Sequence, residues 1–236
     1  MKTKIILVTA ASVALVSSCK FFGVGEGAKN GSIWGEQVVA SEVLETRSIV
    51  VPDFNGLDVG MACKVEYVPG DCRLEVETHE NLFDHLKFEV DSAGVLRISQ
   101  DNYNVRNMNT MNIYVQSPSL EKTNLSGAAR FSAAGGIEAE TFELSISGAG
   151  DVSIDGLDAA SVEMTLSGAC KLNLQGLDSQ EFSISIAGAG DGEISGRTDN
   201  ADVNISGAGK LDLRELEVDE LTTSVSGAGN ILKPKN

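Results

Sequence analysis

Ser147-Gly148-Ala149-Gly150-Asp151 is the stretch that decides the fold, because it recurs with small changes through the second half of the chain. Its six copies begin at residues 126, 147, 167, 187, 206 and 226, so the steps between them are 21, 20, 20, 19 and 20 residues. After this corner, apolar residues alternate with polar ones, as Val152 and Ile154 do, and a second turn at Asp155-Gly156 follows. Such a period predicts a repeat architecture.

A repeat of this size exposes its apolar face unless another copy lies on it. Parallel stacking of copies about 4.8 Å apart pairs their backbones and aligns the aliphatic side chains in one core. Glycine suits the corners, because a tight bend needs a positive φ and a side chain there would meet the stacked copy. The sequence therefore predicts an all-β fold, a parallel β-helix (β-solenoid) with rungs of about 20 residues.

The residue after each corner predicts the register of the stack. Its charge alternates from copy to copy and ends on a neutral side chain. The row is Arg130, Asp151, Lys171, Asp191, Lys210 and Asn230. If these positions lie on top of one another, opposite charges become neighbours, and each pair contributes about 0.2 to 1 kcal/mol. We expect them to form a structural charge ladder along one face.

Residues 44–118 predict short strands and hairpins that cap or extend the stack. Alternating or apolar runs lie at 48–51, 57–59, 64–68, 73–77, 87–90, 95–98 and 111–115. The segment 80–86 predicts one or two helical turns. The turn at 68–71 predicts a hairpin in which Cys72 faces Tyr67, so the spacing leaves a disulfide between Cys63 and Cys72 open. Cys170 occupies a corner position otherwise filled by glycine or alanine, which predicts a small buried residue.

The first 18 residues predict a signal peptide. Lys2 and Lys4 precede an apolar stretch from residue 5 to 16, which at about 12 residues is shorter than the roughly 20 that span a bilayer. With Val16-Ser17-Ser18-Cys19 it resembles a bacterial lipoprotein signal, which implies cleavage before Cys19 and acylation of its thiol, as with palmitate. A plain secretory signal is the alternative. Residues 19–43 then predict a lipidated Cys19 and a flexible tether, followed by the strand region 44–118 and the repeat region 119–236.

The charge of the chain limits its partners. It has 34 acidic and 18 basic residues, a formal net charge of −16. Such a surface repels nucleic acid and anionic headgroups. We therefore expect no nucleic-acid partner, and contact with the membrane through the lipid anchor.

Candidate sites for metals and catalysis have simpler structural explanations. The Gly-x-Gly-Asp corners differ from calcium-binding repeats, because their period is about 20 rather than nine residues and lysine or arginine occupies alternate positions. The cluster His79, Glu80, Asp84 and His85 has histidines six residues apart, whereas zinc hydrolases place them four apart on a helix. It is better interpreted as surface polar residues around a short helix. We expect no metal, no cofactor and no catalytic residue.

The order of several motifs resembles a known family. Phe54-Asn55-Gly56-Leu57, Val65-Glu66-Tyr67-Val68-Pro69-Gly70, Glu80-Asn81-Leu82 and the Ser-Gly-Ala-Gly-Asp corners together resemble the putative auto-transporter adhesin, head GIN domain family of Bacteroidota envelope lipoproteins. The resemblance covers residues 47 to 232. It implies a right-handed β-helix and an adhesin-like role, without established ligand or catalytic residues to carry over.

These observations predict a lipid-anchored cell-envelope module that binds a protein or glycan and is not an enzyme. The alternatives are a polysaccharide-acting lyase or hydrolase on a β-helix, and a purely structural envelope protein. We expect an outer-membrane lipoprotein. Its orientation stays open, because Lys20-Phe21-Phe22 lacks the acidic cluster associated with export to the outer face.

Overall fold

The computed structural model describes residues 36–101 and 103–234, and these residues are almost entirely β-structure. The all-β prediction is therefore confirmed. The strands are β1 (Glu36–Val39), β2 (Leu44–Ile49), β3 (Gly56–Val59), β4 (Cys63–Pro69), β5 (Arg73–His79), β6 (Leu86–Val90), β7 (Val95–Gln100), β8 (Tyr103–Arg106), β9 (Met111–Ser117), β10 (Lys122–Ala133), β11 (Ile137–Gly207), β12 (Lys210–Gly227) and β13 (Asn230–Leu232). A 3-10 helix spans Glu80–His85. The signal peptide, Cys19 and residues 20–35 of the tether lie outside the described residues.

The main sheet is mixed. Its strand order is β13-β12-β11-β10-β4-β9-β5-β2, and β3, β6 and β7 branch from β10. The pairs β2–β5, β5–β9 and β6–β7 are antiparallel, whereas the pairs among β10 to β13 are parallel. β1, which falls within the predicted tether, pairs in parallel with β8 in a separate two-stranded sheet. Antiparallel pairing is thus confined to strands that precede the repeats.

Parallel pairing in the second half follows the repeat period. Ser126 lies opposite Ser147, and Ser206 lies opposite Ser226. The 71 residues of β11 would span roughly 230 Å if fully extended. Instead β11 folds back on itself. Gly168 lies so close to Gly148 that a Cβ atom built on Gly168 would be 2.1 Å from the carbonyl oxygen of Gly148. Each corner therefore lies directly on the corner one copy earlier.

The strands around the turn at 68–71 do not pair as the predicted hairpin. β9 lies between them, parallel to β4 and antiparallel to β5. The alternation of apolar and polar residues predicts β4 and β5 as strands, but it does not predict that β9 lies between them. Cys63 begins β4, whereas Cys72 lies beyond its other end and contacts the carbonyl oxygen of Phe54. Both thiols are free.

A continuous apolar core joins the N-terminal strands to the repeats. The alternate residues of each copy point into it, and Phe131, Phe142 and Phe182 are at most 2% exposed. Cys170 is 6% exposed, which confirms the prediction of a small buried residue. Tyr67 is buried as well and donates its hydroxyl to the carbonyl oxygen of Ser117 at 3.0 Å. Burial of these rings and aliphatics is the main stabilising term.

Thr123 is a polar residue inside this core whose hydroxyl finds no partner among the described residues. Leaving a buried hydroxyl unpaired costs about 1–3 kcal/mol, and an isosteric methyl removes that cost. We therefore expect Thr123→Val to raise the free energy of unfolding by about 1 kcal/mol, measured by urea denaturation. Thr141→Val, at an exposed position, is the matched control and should change stability little. Destabilisation by Thr123→Val would show that the hydroxyl has a partner.

Candidate functional site

The corner groove, as we call it, is a depression of about 490 Å³ against the first three corners. Its floor consists of Ala128, Ala149 and Ala169, the third residue of each of these corners, and all three are exposed. In the sequence, each of these alanines follows a glycine. The surface of the floor therefore consists of alanine methyl groups and backbone atoms. The result is a smooth track that runs along the direction of stacking.

One wall of the corner groove is the segment between β8 and β9, and a buried histidine holds it in place. Met108, Asn109 and Thr110 of this segment line the groove. His79 is 4% exposed; its Nδ1 donates to the carbonyl oxygen of Ser41 at 2.5 Å, and its Nε2 accepts the backbone N–H of Asn109 at 3.3 Å. These two hydrogen-bond partners require the imidazole tautomer of His79 that carries its proton on Nδ1. The interpretation of His79 as a surface residue is therefore wrong, because it bridges the chain before β2 to the groove wall.

The rim of the corner groove carries two cations that already have ion-pair partners. Lys64 and Arg130 lie directly opposite one another in the pairing of β4 with β10. Lys64 forms an ion pair with Glu66, and Arg130 Nε lies 3.2 Å from Asp151 Oδ2. Exposed pairs of this kind contribute about 0 to 1 kcal/mol. The rim is therefore polar but locally neutralised.

The charge row that the sequence predicts begins at this rim. Three of its neighbouring pairs are Cα partners in the sheet, as predicted. Arg130 lies opposite Asp151, Asp191 opposite Lys210, and Lys210 opposite Asn230. The backbone N–H of Lys210 also donates to Asp191 Oδ1 at 3.3 Å. Lys171 is exposed. Only the first two members of the row line the corner groove, so the rest of it is separate from this candidate site.

The cysteine in the groove is not a reactive group. Burial raises the pKa of Cys63 to about 12, which keeps its thiol protonated at neutral pH, and the thiolate is the nucleophilic form. Burial also raises the pKa of Cys170, behind the corners. Within residues 36–101 and 103–234, no group of three or more His, Cys, Asp or Glu side chains is arranged to bind a metal ion. No helix in that part of the chain has the length and apolar character to cross a membrane.

A second depression, of about 430 Å³, lies at the turn on the other side of the repeats. Glu138, Asp155, Asp158 and Asp178 line it together with glycines. These four acids make the electrostatic potential at this turn negative. The corner groove is the less charged of the two.

No pattern in the sequence indicates the groove wall. The run Asn107-Met108-Asn109-Thr110 has no clear period, and only its amide, hydroxyl and thioether side chains between two strands distinguish it. Its position over the corners depends on the long-range contact with His79, which spacing in the sequence does not reveal.

The family model described as "Putative auto-transporter adhesin, head GIN domain" matches residues 53–177 and 170–232. Among solved structures, a putative adhesin from Bacteroides fragilis is 21% identical, with a TM-score of 0.60, and the match covers 83% of this chain and 99% of that one. A putative lipid binding protein from Parabacteroides distasonis is 22% identical, with a TM-score of 0.56 and coverage of 85% and 100%.

A putative adhesin from Parabacteroides merdae is 17% identical, with a TM-score of 0.55 and coverage of 85% and 100%. At these identities the likeness establishes the shared fold and nothing about ligands. Comparison with curated proteins finds no match.

Proposed function

Because the chain belongs to the family described as "Putative auto-transporter adhesin, head GIN domain", we propose that it is a lipid-anchored, non-enzymatic binding module of the cell envelope. The adhesin description of the family supports a binding role and a location at the cell surface or envelope. Acylation at Cys19 would hold the module at the outer membrane. Its orientation there, outward or towards the periplasm, is a separate question that protease treatment of whole cells answers.

We also infer that the parallel copies wind into a right-handed β-helix. Two observations support this fold. Corners lie on corners along the repeat region, and parallel crossover connections are right-handed in nearly all proteins. In such a coil the third residues of the corners form one continuous track, of which the corner groove is the enclosed part.

The ligand that the corner groove fits best is a neutral, hydroxyl-rich glycan segment. This proposal rests on the residues that line the groove. Methionine and alanine offer apolar surface to sugar rings, while Asn109, Thr110 and Asn112 offer amide and hydroxyl groups. A polyanion fits poorly, because Lys64 and Arg130 already have carboxylate partners and the whole chain is acidic. The groove volume lies within the usual range of about 300–1,000 Å³ for small-molecule sites.

The same lining supports binding without catalysis. Most glycoside hydrolases use two carboxyl groups across the scissile bond. Asp151 is the one carboxylate among the described residues that line the corner groove, and it is engaged with Arg130. A lyase would need an acid cluster beside a base to take a proton from a uronate, and this arrangement is not found among those lining residues.

We expect Ala149→Trp to weaken glycan binding, because an indole on the floor fills the corner groove. The protein from Lys20 onwards is first screened on a glycan array, and the neutral oligosaccharide that binds best is then titrated by calorimetry. Affinity should fall by roughly tenfold or more, which corresponds to about 1.4 kcal/mol. Circular dichroism and thermal melting of the variant report whether it is folded.

The matched control is Ala189→Trp, at the same corner position in the fourth copy and outside the groove lining. It should bind the oligosaccharide like the unmodified protein. Equal losses in both variants would contradict binding in the groove. Binding of peptides but of no glycan on the arrays would contradict the ligand class, and formation of cleavage products would contradict the absence of catalysis.

A further inference from the structure

Among the described residues, the copy of the repeat that β12 forms has an open backbone edge, which we call the terminal edge and define as the outer edge of β12 from residue 213 to 227. β12 pairs with β11 along its inner edge, whereas β13 covers only Lys210–Asp212. Among the described residues, no strand pairs with the rest of that outer edge. The corresponding edge at the start of the repeats is different, because β3 and β4 both pair with β10.

The terminal edge keeps the backbone geometry that accepts a further strand. Gly227 has a φ of +112°, the same as that of Gly168 inside the stack. The N–H of Ala228 donates to the carbonyl oxygen of Gly207 at 2.8 Å, as the N–H of Ala208 does to Gly188 at 2.9 Å. The last corner therefore repeats the shape of corners that carry another copy on top.

Two apolar side chains at the terminal edge are more exposed than their counterparts in the stack, although Leu213 and Leu216 on the same edge are buried. Val225 is 45% exposed, whereas Ile205, its register partner one copy earlier, is 2% exposed. Leu221 is partly exposed above Ala201, which is 4% exposed. A strand laid on β12 would cover these side chains and gain about 25 cal/mol for each Å² of apolar surface buried.

The charges of the terminal edge select the strand that would bind. Residues 213–227 contain four acids and one arginine, and all five side chains belong to exposed residues: Arg214, Glu215, Glu217, Asp219 and Glu220. The arginine is engaged with Asp212 at 2.6 Å. Like charges opposite one another destabilise a strand pair, and opposite charges stabilise it. A second copy docked edge to edge would place acids against acids, whereas a basic strand would be attracted.

We propose that the terminal edge is a docking site for an extended basic segment of a partner protein, which adds to β12 as a further parallel strand. Backbone hydrogen bonds supply affinity in this mode of recognition, and alternate side chains supply specificity. Lysine or arginine on the outward positions lies opposite Glu220 and in the negative field of Glu215, Glu217 and Asp219. Aliphatic residues on the inward positions continue the column above Leu221 and Val225. The site is separate from the corner groove, which lies on the first three copies.

The test uses the soluble chain from Lys20 and a fluorescein-labelled peptide of about ten residues that alternates valine and lysine. Fluorescence anisotropy measures the dissociation constant, and hydrogen exchange measures protection of the amides of residues 213–227. We expect saturable binding, added protection at these amides, and normal binding by Ala149→Trp. A peptide with glutamate in place of lysine should not bind. Successive backbone N–H groups of a strand point to opposite edges, so N-methylation of every second residue blocks hydrogen bonding along one edge of the peptide. Methylation of the odd-numbered or of the even-numbered residues gives two peptides, of which one should bind and the other should not.

The paired variants are Val225→Lys and Val68→Lys, because both valines are 45% exposed and only Val225 lies on the terminal edge. We expect Val225→Lys to weaken binding roughly tenfold and Val68→Lys to leave it unchanged. Absence of binding would overturn the proposal and show that the acids protect the edge from pairing. Equal binding by both N-methylated peptides, equal effects of the two variants, or concentration-dependent self-association through the edge would overturn it too.

Discussion

Gly168→Ala is expected to destabilise the protein by roughly 4 kcal/mol or more, enough to unfold most small domains at moderate urea. Gly168 has a φ of +112°, which L side chains rarely adopt, and its Cβ would lie 2.1 Å from the carbonyl oxygen of Gly148. That oxygen belongs to backbone and cannot move aside as the end of a flexible side chain does. The corner must therefore separate from the one beneath it, and backbone pairing of both copies is lost. Urea denaturation followed by circular dichroism gives the change in unfolding free energy.

Gly60→Ala is the control for this substitution. The nearest atom to a Cβ there is Ser126 Oγ at 3.8 Å, and Gly60 is not among the residues with positive φ. Its effect should stay within about 1 kcal/mol, the ordinary difference between glycine and alanine. If both variants unfolded at the same urea concentration, corners would not lie directly on one another.

The same contact explains why the second position of the five later corners is glycine. A Cβ on Gly148, Gly188, Gly207 or Gly227 would lie 2.2 to 2.5 Å from the carbonyl oxygen of the glycine one copy earlier. The third position differs, because its alanines point to solvent and are exposed. Larger side chains are therefore sterically possible at the third position, which makes it the natural place for ligand contacts and for the tryptophan test described above.

The period and alternation of the repeats are sufficient to predict their mutual register. Residues one period apart are Cα partners at Arg130 and Asp151 and again at Asp191 and Lys210. This succeeds because small corners, buried aliphatics and charges all favour the same alignment. A shift by one residue would move every buried aliphatic to the solvent side.

The N-terminal half was less predictable, because alternation identifies strands but not their neighbours. β9 lies between β4 and β5 although a short turn joins those two strands. β8 has the sequence Tyr-Asn-Val-Arg, which has too little apolar character to predict a strand. Val50 was expected to lie in a strand, but β2 ends at Ile49 and Val50 is 99% exposed.

The corner groove could not be predicted for the same reason. Its floor follows from the repeat, but its wall depends on His79, whose burial results from contacts with Ser41 and Asn109 that are 38 and 30 residues away in the chain. A polar residue beside a short helix has no feature in the local sequence that distinguishes a solvated side chain from a bridging one. Sites built on long-range contacts therefore emerge only when the strands are in place.

The anchor makes the other prediction of large effect: Cys19→Ser should release the protein completely from the membrane fraction. In the proposed pathway the thiol of Cys19 is acylated, and each buried CH₂ of an acyl chain contributes about 0.8 kcal/mol, so more than one chain is needed for stable attachment. Serine cannot take the first chain through sulfur. Cells grown with a clickable fatty acid should label the unmodified protein and not the variant, while fractionation follows its position.

Cys63→Ser provides the matched control for the anchor. Burial raises the pKa of the Cys63 thiol to about 12, so this thiol stays protonated and is a poor acceptor for an acyl group. Labelling and membrane attachment should therefore survive Cys63→Ser. Labelled Cys19→Ser protein in the membrane fraction would place the anchor elsewhere. Unlabelled protein that stays on the membrane would instead show that surface contacts of the folded module hold it there, which the acidic charge of the chain opposes on an anionic bilayer.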